Sequence, residues 1–558
     1  MSLFHDITEG GQTTTHRVRM FRQVLLTSTK IAFALSLIYF IYLMSRVPSV
    51  YYSAAWYQIK AEFLKSLNLK ISVSQDFWWK VAHQQFGKSS VEVSYQNLIA
   101  LTKPFTDYLF DFSYKSFYKT LTLFASCYFF IFLFFGLSGR FRKQKTHISG
   151  KQISPVWRIK FRLWIKGKAS KIKIGGLPLV KNTETQHILI TGGTGSGKSN
   201  CMHHILAQIR SLGQRAVIID TTGIYKEKYF RKGKDFLLNP TDSNGEPWHP
   251  WIECENPMDY DAIAENFIPN SNSEQENYWR TAGRSVFSSL LQKTEISKKT
   301  SDLSKWILFE SLQKLSRFLE GTEATAHIDM SSEKTAGSVR SVTSSFLKCL
   351  KYVEDTDTPF SIRKWVQNDK KDDSWLFLSC DPGERAAFIP LVSCWFSVAA
   401  RSLLRTKPDF DRRLWFVIDE LSTLHKLKEL EPLLAESRKY GGCALLALQS
   451  PAQIEDIYGR AACRTILGLC ATKIIFSEMD SETAERISKS FGNREFKEMQ
   501  ESVSYGAHEM RDGVSLSSQI KQQPLVSTSE IHALEANQCF IKLFGNIPVA
   551  KLKIKISK

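Results

Sequence analysis

One octapeptide constrains this chain more than any other feature. Gly192-Gly193-Thr194-Gly195-Ser196-Gly197-Lys198-Ser199 follows the apolar run His187–Thr191 and leads into a helix-like run from Asn200 to Leu212. The G-x-x-x-x-G-K-S spacing gains meaning from that context. A buried strand ending in a glycine-rich turn at a helix N-terminus aims backbone N–H groups and the positive end of the helix dipole at one point. Glycines permit the unusual backbone angles and a close approach to phosphate. Lys198 would reach the β- and γ-phosphates, and Ser199 would hold Mg²⁺ through its hydroxyl. The expectation is a site for ATP and Mg²⁺ built on Gly192, Gly193, Thr194, Gly195, Ser196, Gly197, Lys198 and Ser199.

The second half of such a site is Leu414-Trp415-Phe416-Val417-Ile418-Asp419-Glu420, an apolar strand that delivers two carboxylates at its C-terminal end. Open α/β sheets bind ligands at that end. Asp419 is placed to ligate Mg²⁺, usually through water, and Glu420 to orient and deprotonate an attacking water. Further strands are expected at Ala216–Asp220, Trp375–Cys380, Cys443–Leu448 and Lys473–Phe476. Gln449 follows one of them, where a polar residue can sense a γ-phosphate or simply cap a helix. The stretch from Pro247 to Ile362 is helical in character, with apolar residues three and four apart in Gln275–Thr294, Asp302–Glu320 and Glu333–Lys351.

Two apolar stretches precede this core. Thr120–Ser138 carries no charge over a length that matches a hydrocarbon core of about 30 Å. The first has an uncharged centre from Ile31 to Ser45, lengthened upstream if Lys30 snorkels to the interface. A cleavable signal peptide competes for that segment, because Arg17, Arg19 and Arg22 precede it. Export would separate the glycine loop from ATP, so a hairpin with both ends inside is the better reading. Arg140, Arg142, Lys143 and Lys145 after the second span support it. The loop between the spans is expected to hold a small folded or membrane-facing piece around Trp56, Trp78 and Trp79.

Seventy-four Lys and Arg against 55 acids leave a formal charge of +19. Such an excess points to polyanions. The alternation of basic and apolar residues from Trp157 to Lys166 suggests a strand with a cationic face, for which anionic lipid and DNA are both candidates. Lys551, Lys553 and Lys555 read as the solvated face of a terminal strand. No element for base-specific readout is visible, so DNA binding would be electrostatic and weakened by salt. None of the ten cysteines forms a C-x-x-C pair, which speaks against a zinc or redox motif. His508-Glu509-Met510-Arg511-Asp512 lacks the second histidine of a metalloprotease helix.

These features together resemble the type IV secretion coupling proteins, specifically the TraD-like branch. The resemblance rests on GGTGSGKS, on IDELSTL at Ile418–Leu424, and on AESRKYGG at Ala435–Gly442. It extends to LQSPAQIEDIYG at Leu448–Gly459 and SYGAHEMRDGVS at Ser504–Ser515. It implies a RecA-like P-loop NTPase core with an inserted all-α domain, preceded by a two-helix transmembrane hairpin. The divisions would be a cytoplasmic tail over 1–23, spans at 24–45 and 120–138 around an extracytoplasmic loop 46–119, the first core part 139–246, the all-α domain 247–362 and the second core part 363–558. It further implies a hexameric inner-membrane ATPase that links a DNA–relaxase substrate to the secretion channel and drives transfer. Arg438 matches the family's arginine finger, acting in a neighbouring subunit's site, and Gln449 its sensor-like glutamine. F-type TraD proteins carry a long C-terminal tail that docks a relaxosome protein. This chain stops at Lys558, and recruitment through such a tail is not expected of it. A nucleotide-regulated receptor that docks mainly protein cargo is the alternative. An FtsK-type translocase would bring more spans, a long linker and a winged-helix module.

Overall fold

The computed structural model describes residues 2–84, 90–142, 146–271, 273–368, 372–504 and 513–556. The chain divides into two compact units, residues 1–146 with 497–519, and residues 147–496 with 520–558.

In the first unit α1 (Ser2–Ser45) and α4 (Tyr95–Arg142) are long helices, with α2 (Ser49–Ser66), β1 (Ile71–Ser74), α3 (Gln75–Ala82) and β2 (Ser90–Val93) between them. The stretches Val18–Ser45 and Tyr95–Ser138 are long and apolar enough to cross a membrane. The expected loop 46–119 is thus partly helix, because α4 begins 25 residues before Thr120 and runs unbroken into the apolar stretch. Between the long helices, β1 and β2 pair antiparallel. A small core of Ala54, Ala61, Ile71, Val73, Phe77, Trp78 and Leu98 forms there. Trp78 is buried while Trp56 and Trp79 stay exposed. Phe21 of α1 meets Phe132 of α4 edge-on at 6.2 Å, so the two long helices run side by side.

In the second unit β3 (Thr146–Gly150) begins in one division and ends in the other, and α5 spans Val156–Ile165. The expected cationic strand over Trp157–Lys166 is therefore a helix. Its apolar residues satisfy both periods, and Ile159 and Leu163, one turn apart, are the buried pair. Pro155, whose fixed φ suits a helix entry, stands at the N-cap. The period-two pattern belongs to the next segment, β4 (Ala169–Ile174), where Lys171 and Lys173 alternate with buried Ser170, Ile172 and Ile174. It pairs with β5 (Leu177–Val180).

The main sheet uses β6 (Ile188–Thr191), β7 (Arg215–Asp220), β8 (Phe236–Leu238), β9 (Trp375–Ser379), β10 (Leu414–Ile418), β11 (Gly442–Leu448) and β12 (Thr472–Ile475). These strands are parallel, in the order β12-β6-β11-β10-β7-β9-β8. The strands β13 (Asn493–Ser504) and β14 (Gly513–Pro524) each have residues in both units. Finally β15 (Gln538–Lys542) and β16 (Ala550–Lys553) extend the β12 edge antiparallel. Lys551 and Lys553 lie on the exposed side of β16, as a solvated face requires. The parallel strands are largely apolar because both faces are covered.

One face packs on α6 (Lys198–Ser211), α5 and the β4–β5 ribbon. The other packs on helices that follow β8 in the sequence. Between β8 and β9 the described residues contain helices alone, among them α8 (Pro257–Phe267), α9 (Glu274–Lys293) and a helix over Glu333–Leu347. Their cores are continuous with the sheet. The helix expected over Asp302–Glu320 is broken, into Thr300–Ser304, a π-turn Lys305–Phe309 and Leu312–Phe318. Ser311 restarts the last piece by accepting the Lys314 N–H. A third apolar helix, Arg385–Leu404, carries enough length and hydropathy to span a membrane, yet most of it is buried against this face. It is a core helix.

Candidate functional site

The glycine loop runs from the end of β6 to the start of α6. Gly192 has φ +152°, and a Cβ there would stand 2.6 Å from Phe476 Cβ. Gly197 has φ +112°, and a Cβ would fall 2.6 Å from Asn537 Oδ1. Both positions therefore need glycine for sterics as well as for torsion. Remote segments of the same chain hold the loop from outside. The Gly193 N–H donates to the Ser477 carbonyl at 2.8 Å, and the Asn537 N–H to the Ser196 carbonyl at 2.8 Å. Asn200 donates to Asn537 Oδ1 at 2.9 Å and to the Lys555 carbonyl at 3.0 Å.

The Lys198 ammonium is largely buried. It donates to the carbonyls of Gly192 (2.7 Å) and Gly193 (2.9 Å), inside its own loop. Burial pulls its pKa down, while Glu420, Asp419 and Glu478 pull it up. Those acids arrive from two other strands. Asp419 and Glu420 follow β10, and Glu478 lies just beyond β12. Leu448 of β11 pairs with Thr191, so Gln449 stands beside the first residue of the loop, and β11 separates the loop strand from the acid strand. The sheet order thus brings Lys198, Ser199, Asp419, Glu420 and Gln449 to one edge.

Asp419 titrates above the usual carboxylate range, mainly because it is buried. Tyr225, from the short helix α7 (Ile224–Tyr229), faces both Asp419 and Ser199, and burial and Asp419 raise its own pKa. Its hydroxyl lies 3.8 Å from Met202 Sδ. Glu420 accepts the Ser422 hydroxyl, which orients one carboxylate oxygen. Glu478 is buried and raised by burial. One of its oxygens accepts the N–H groups of Met479 and Asp480, and the other has no partner among the described residues. Ser196 Oγ and Thr191 Oγ1 are likewise buried without a partner. Orphaned polar groups of this kind are costly unless a ligand or water completes them. A lysine turned onto carbonyls, a serine beside a buried acid and unsatisfied hydroxyls around a glycine cradle fit a magnesium nucleotide.

Arg438 is elsewhere. It is exposed on the turn Ser437–Tyr440, which precedes β11, whereas Lys198 lies past the opposite ends of the strands. A seven-residue strand is about 23 Å long, so Arg438 does not serve the site of its own chain. Sequence reasoning missed Tyr225, Glu478 and Asn537. Glu478 and Asn537 had no motif to mark them, and Tyr225 gave no signal at all. The segment Ser504–Ser515 and the His508–Asp512 run fall largely or wholly outside the described residues. Among the described residues no group of His, Cys, Asp and Glu could hold a metal by itself. All ten cysteines are free.

Comparison with known proteins decides the lineage. The family described as the type IV secretion-system coupling protein DNA-binding domain matches residues 171–555. The chain belongs to this family. Among coupling proteins, TraD of Escherichia coli (strain K12) is 34% identical over 428 residues, 75% of this chain. The chain spans about 60% of the length of that relative. Unbound TrwB, a bacterial conjugative coupling protein, matches with a TM-score of 0.66 at 27% identity, covering 74% of this chain and 95% of that one. TrwB in complex with ADP and Mg²⁺ matches with a TM-score of 0.65, 27% identity and the same coverage. The coupling-protein fold, a mixed α/β P-loop sheet, is therefore common to both.

Proposed function

We propose that this coupling-family chain is an ATPase of a type IV secretion or conjugation system, held in the bacterial inner membrane, which links a DNA–relaxase substrate to the transport channel and drives DNA through it. The observation that carries the reading is the convergence of Lys198, Ser199, Asp419, Glu420 and Gln449 on one sheet edge around a glycine cradle. Binding of ADP and Mg²⁺ by TrwB supports the choice of ligand.

In this reading Lys198 exchanges its two loop carbonyls for phosphate oxygens, so that its ammonium has acceptors in either state. Ser199 and Asp419 hold the cation, which screens phosphate charge when bound. Tyr225 keeps the Asp419 carboxylate aimed at Ser199. Glu420, fixed through Ser422, takes the proton of the attacking water, and Gln449 senses the γ-phosphate. Arg438 completes the site of the next subunit in a hexameric ring; its exposure far from its own Lys198 supports that role. An arginine supplied in this way is worth about 10³–10⁵ in rate. Residues 247–362 form the family's all-α domain within the core. The stretches at 24–45 and 120–138 cross the membrane as a hairpin, with residues 1–23 and the ATPase body in the cytoplasm. The charge of +19 supports salt-sensitive DNA binding without sequence preference.

Lys198→Ala is expected to abolish ATP hydrolysis and DNA transfer while the protein still reaches the membrane. Normal transfer by that variant refutes the motor role. Mixing Arg438→Ala subunits with Glu420→Gln subunits is expected to restore part of the hydrolysis, at interfaces that unite the intact halves. Absence of recovery in verified mixed rings removes the trans assignment.

A further inference from the structure

The helix α5 has two apolar sides, and the fold uses one of them. Ile159 and Leu163 are buried on the sheet. On the opposite side Trp157, Phe161, Trp164 and Ile165 are 64%, 57%, 72% and 62% exposed. At 100° per residue these four fall within one stripe about a third of the circumference wide, with Lys160 on one flank and Arg158 and Arg162 on the other. Large apolar side chains left in water at this density mark a surface meant to be covered. A groove of about 520 Å³ runs beside the stripe, between Trp157, Lys160 and Trp164 and Lys173 of β4.

The charge around the stripe has one sign. The sequence carries no Asp or Glu between Asp111 and Glu184, so the end of α4, the connection and α5 with its ribbon are wholly cationic. Among the described residues Arg158, Lys160, Arg162, Lys166 and Lys168 take part in no ion pair. An aromatic stripe bordered by cations without acidic partners, one of them (Arg158) lying over the Trp157 ring at 5.1 Å, is the composition of a helix that lies in a membrane interface, with its rings at the acyl boundary and its cations among headgroups. The thirteen residues 143–155 connect α5 to the apolar helix α4, a reach of at most about 45 Å. Polybasic segments so close to a span are drawn to anionic lipid. Duplex DNA would use the cations but leave the tryptophans in water, and a single strand, whose bases can stack on the rings, would still leave Ile165 uncovered.

We infer that the outer face of α5, with the groove beside it, is a docking surface for the anionic headgroups and upper acyl chains of the membrane, so that the ATPase body is fastened to the bilayer at a second place besides the hairpin. This rests on the hairpin reading above.

The test uses the full chain in nanodiscs of phosphatidylcholine alone or with 30% phosphatidylglycerol, carrying a benzophenone amino acid in place of Phe161, Phe130 or Met258. At Phe161 irradiation is expected to give lipid adducts, several-fold more abundant in the anionic discs. At Phe130, within α4, lipid adducts are expected in both discs, and their absence breaks the hairpin reading instead. Met258, exposed without flanking cations, is expected to give no lipid adduct. Adducts from position 161 to a second copy of the chain, to added DNA, or to no lipid at all while position 130 labels normally, each overturn the inference. Replacing Arg158, Lys160 and Arg162 by Glu is expected to abolish the anionic preference at position 161 and to leave ATP turnover unchanged.

Discussion

Two aspartates stand at the ends of neighbouring strands and are held in opposite ways. Ile219 and Ile418 are the last residues that pair β7 with β10, and Asp220 and Asp419 follow them. Asp220 is fully buried and saturated. Its two oxygens accept the N–H and hydroxyl of Thr222, the N–H of Gly223 at 2.8 Å and the N–H of Lys226 at 2.7 Å. It builds the turn that launches α7 and so places Tyr225. Asp419 faces Tyr225 and, among the described residues, has no such set of backbone donors, and burial raises its pKa. A carboxylate held by several backbone donors is architecture, whereas a buried one held by a single hydroxyl costs stability and is available to a cation. Identity and position in the sheet do not distinguish the two acids. Their donors do.

The contrast can be broken by exchange. The largest effect belongs to Asp419→Asn, which is expected to lower cation-dependent ATP turnover by about 10²–10³-fold, measured against a magnesium titration. Unchanged turnover would return Asp419 to the structural class. Next comes Asp220→Ala, which strands several buried N–H groups. It is expected to lose about 2–3 kcal/mol of stability, read as a fall in Tm, with turnover reduced only as far as Tyr225 is displaced. Without nucleotide, Asp419→Asn should act on stability in the reverse sense, with a gain of about 1 kcal/mol. The sign follows from the raised pKa. The native state holds that proton more tightly than the unfolded chain, so the carboxylate destabilises increasingly as pH rises from the unfolded value through the native one. The gain should therefore be present at neutral pH and vanish in acid, and a gain independent of pH would remove charge as its cause. The smallest effect is that of Tyr225→Phe, about 0.5–1 kcal/mol in magnesium-nucleotide affinity by calorimetry. No change would mean that Asp419 needs no partner to stay aimed.

Much of this is legible in the sequence. The runs expected at His187–Thr191, Ala216–Asp220 and Leu414–Ile418 are strands because parallel strands covered on both faces are largely apolar, and the glycine loop announced itself by spacing. Other residues were ambiguous in principle. Trp157–Lys166 satisfies a period of two and a period of four at once, and Pro155 with the burial of Ile159 and Leu163 settled it as a helix. The run in Arg385–Leu404 matches a membrane helix by composition, and only its packing makes it core. Tyr225, Glu478 and Asn537 reach the loop from segments 27, 280 and 339 residues beyond Lys198, a distance at which no local pattern survives.

The sequence by itself determined the phosphate loop, the acid pair, the strands that carry them and the long apolar helices, because each depends on neighbours within a few residues. The tertiary structure alone decided which acids are satisfied, which side of α5 is buried, and that Arg438 lies far from its own Lys198. Those properties depend on strand order and on donors brought in from remote segments, and burial has a free energy only once the partners that cause it are in place.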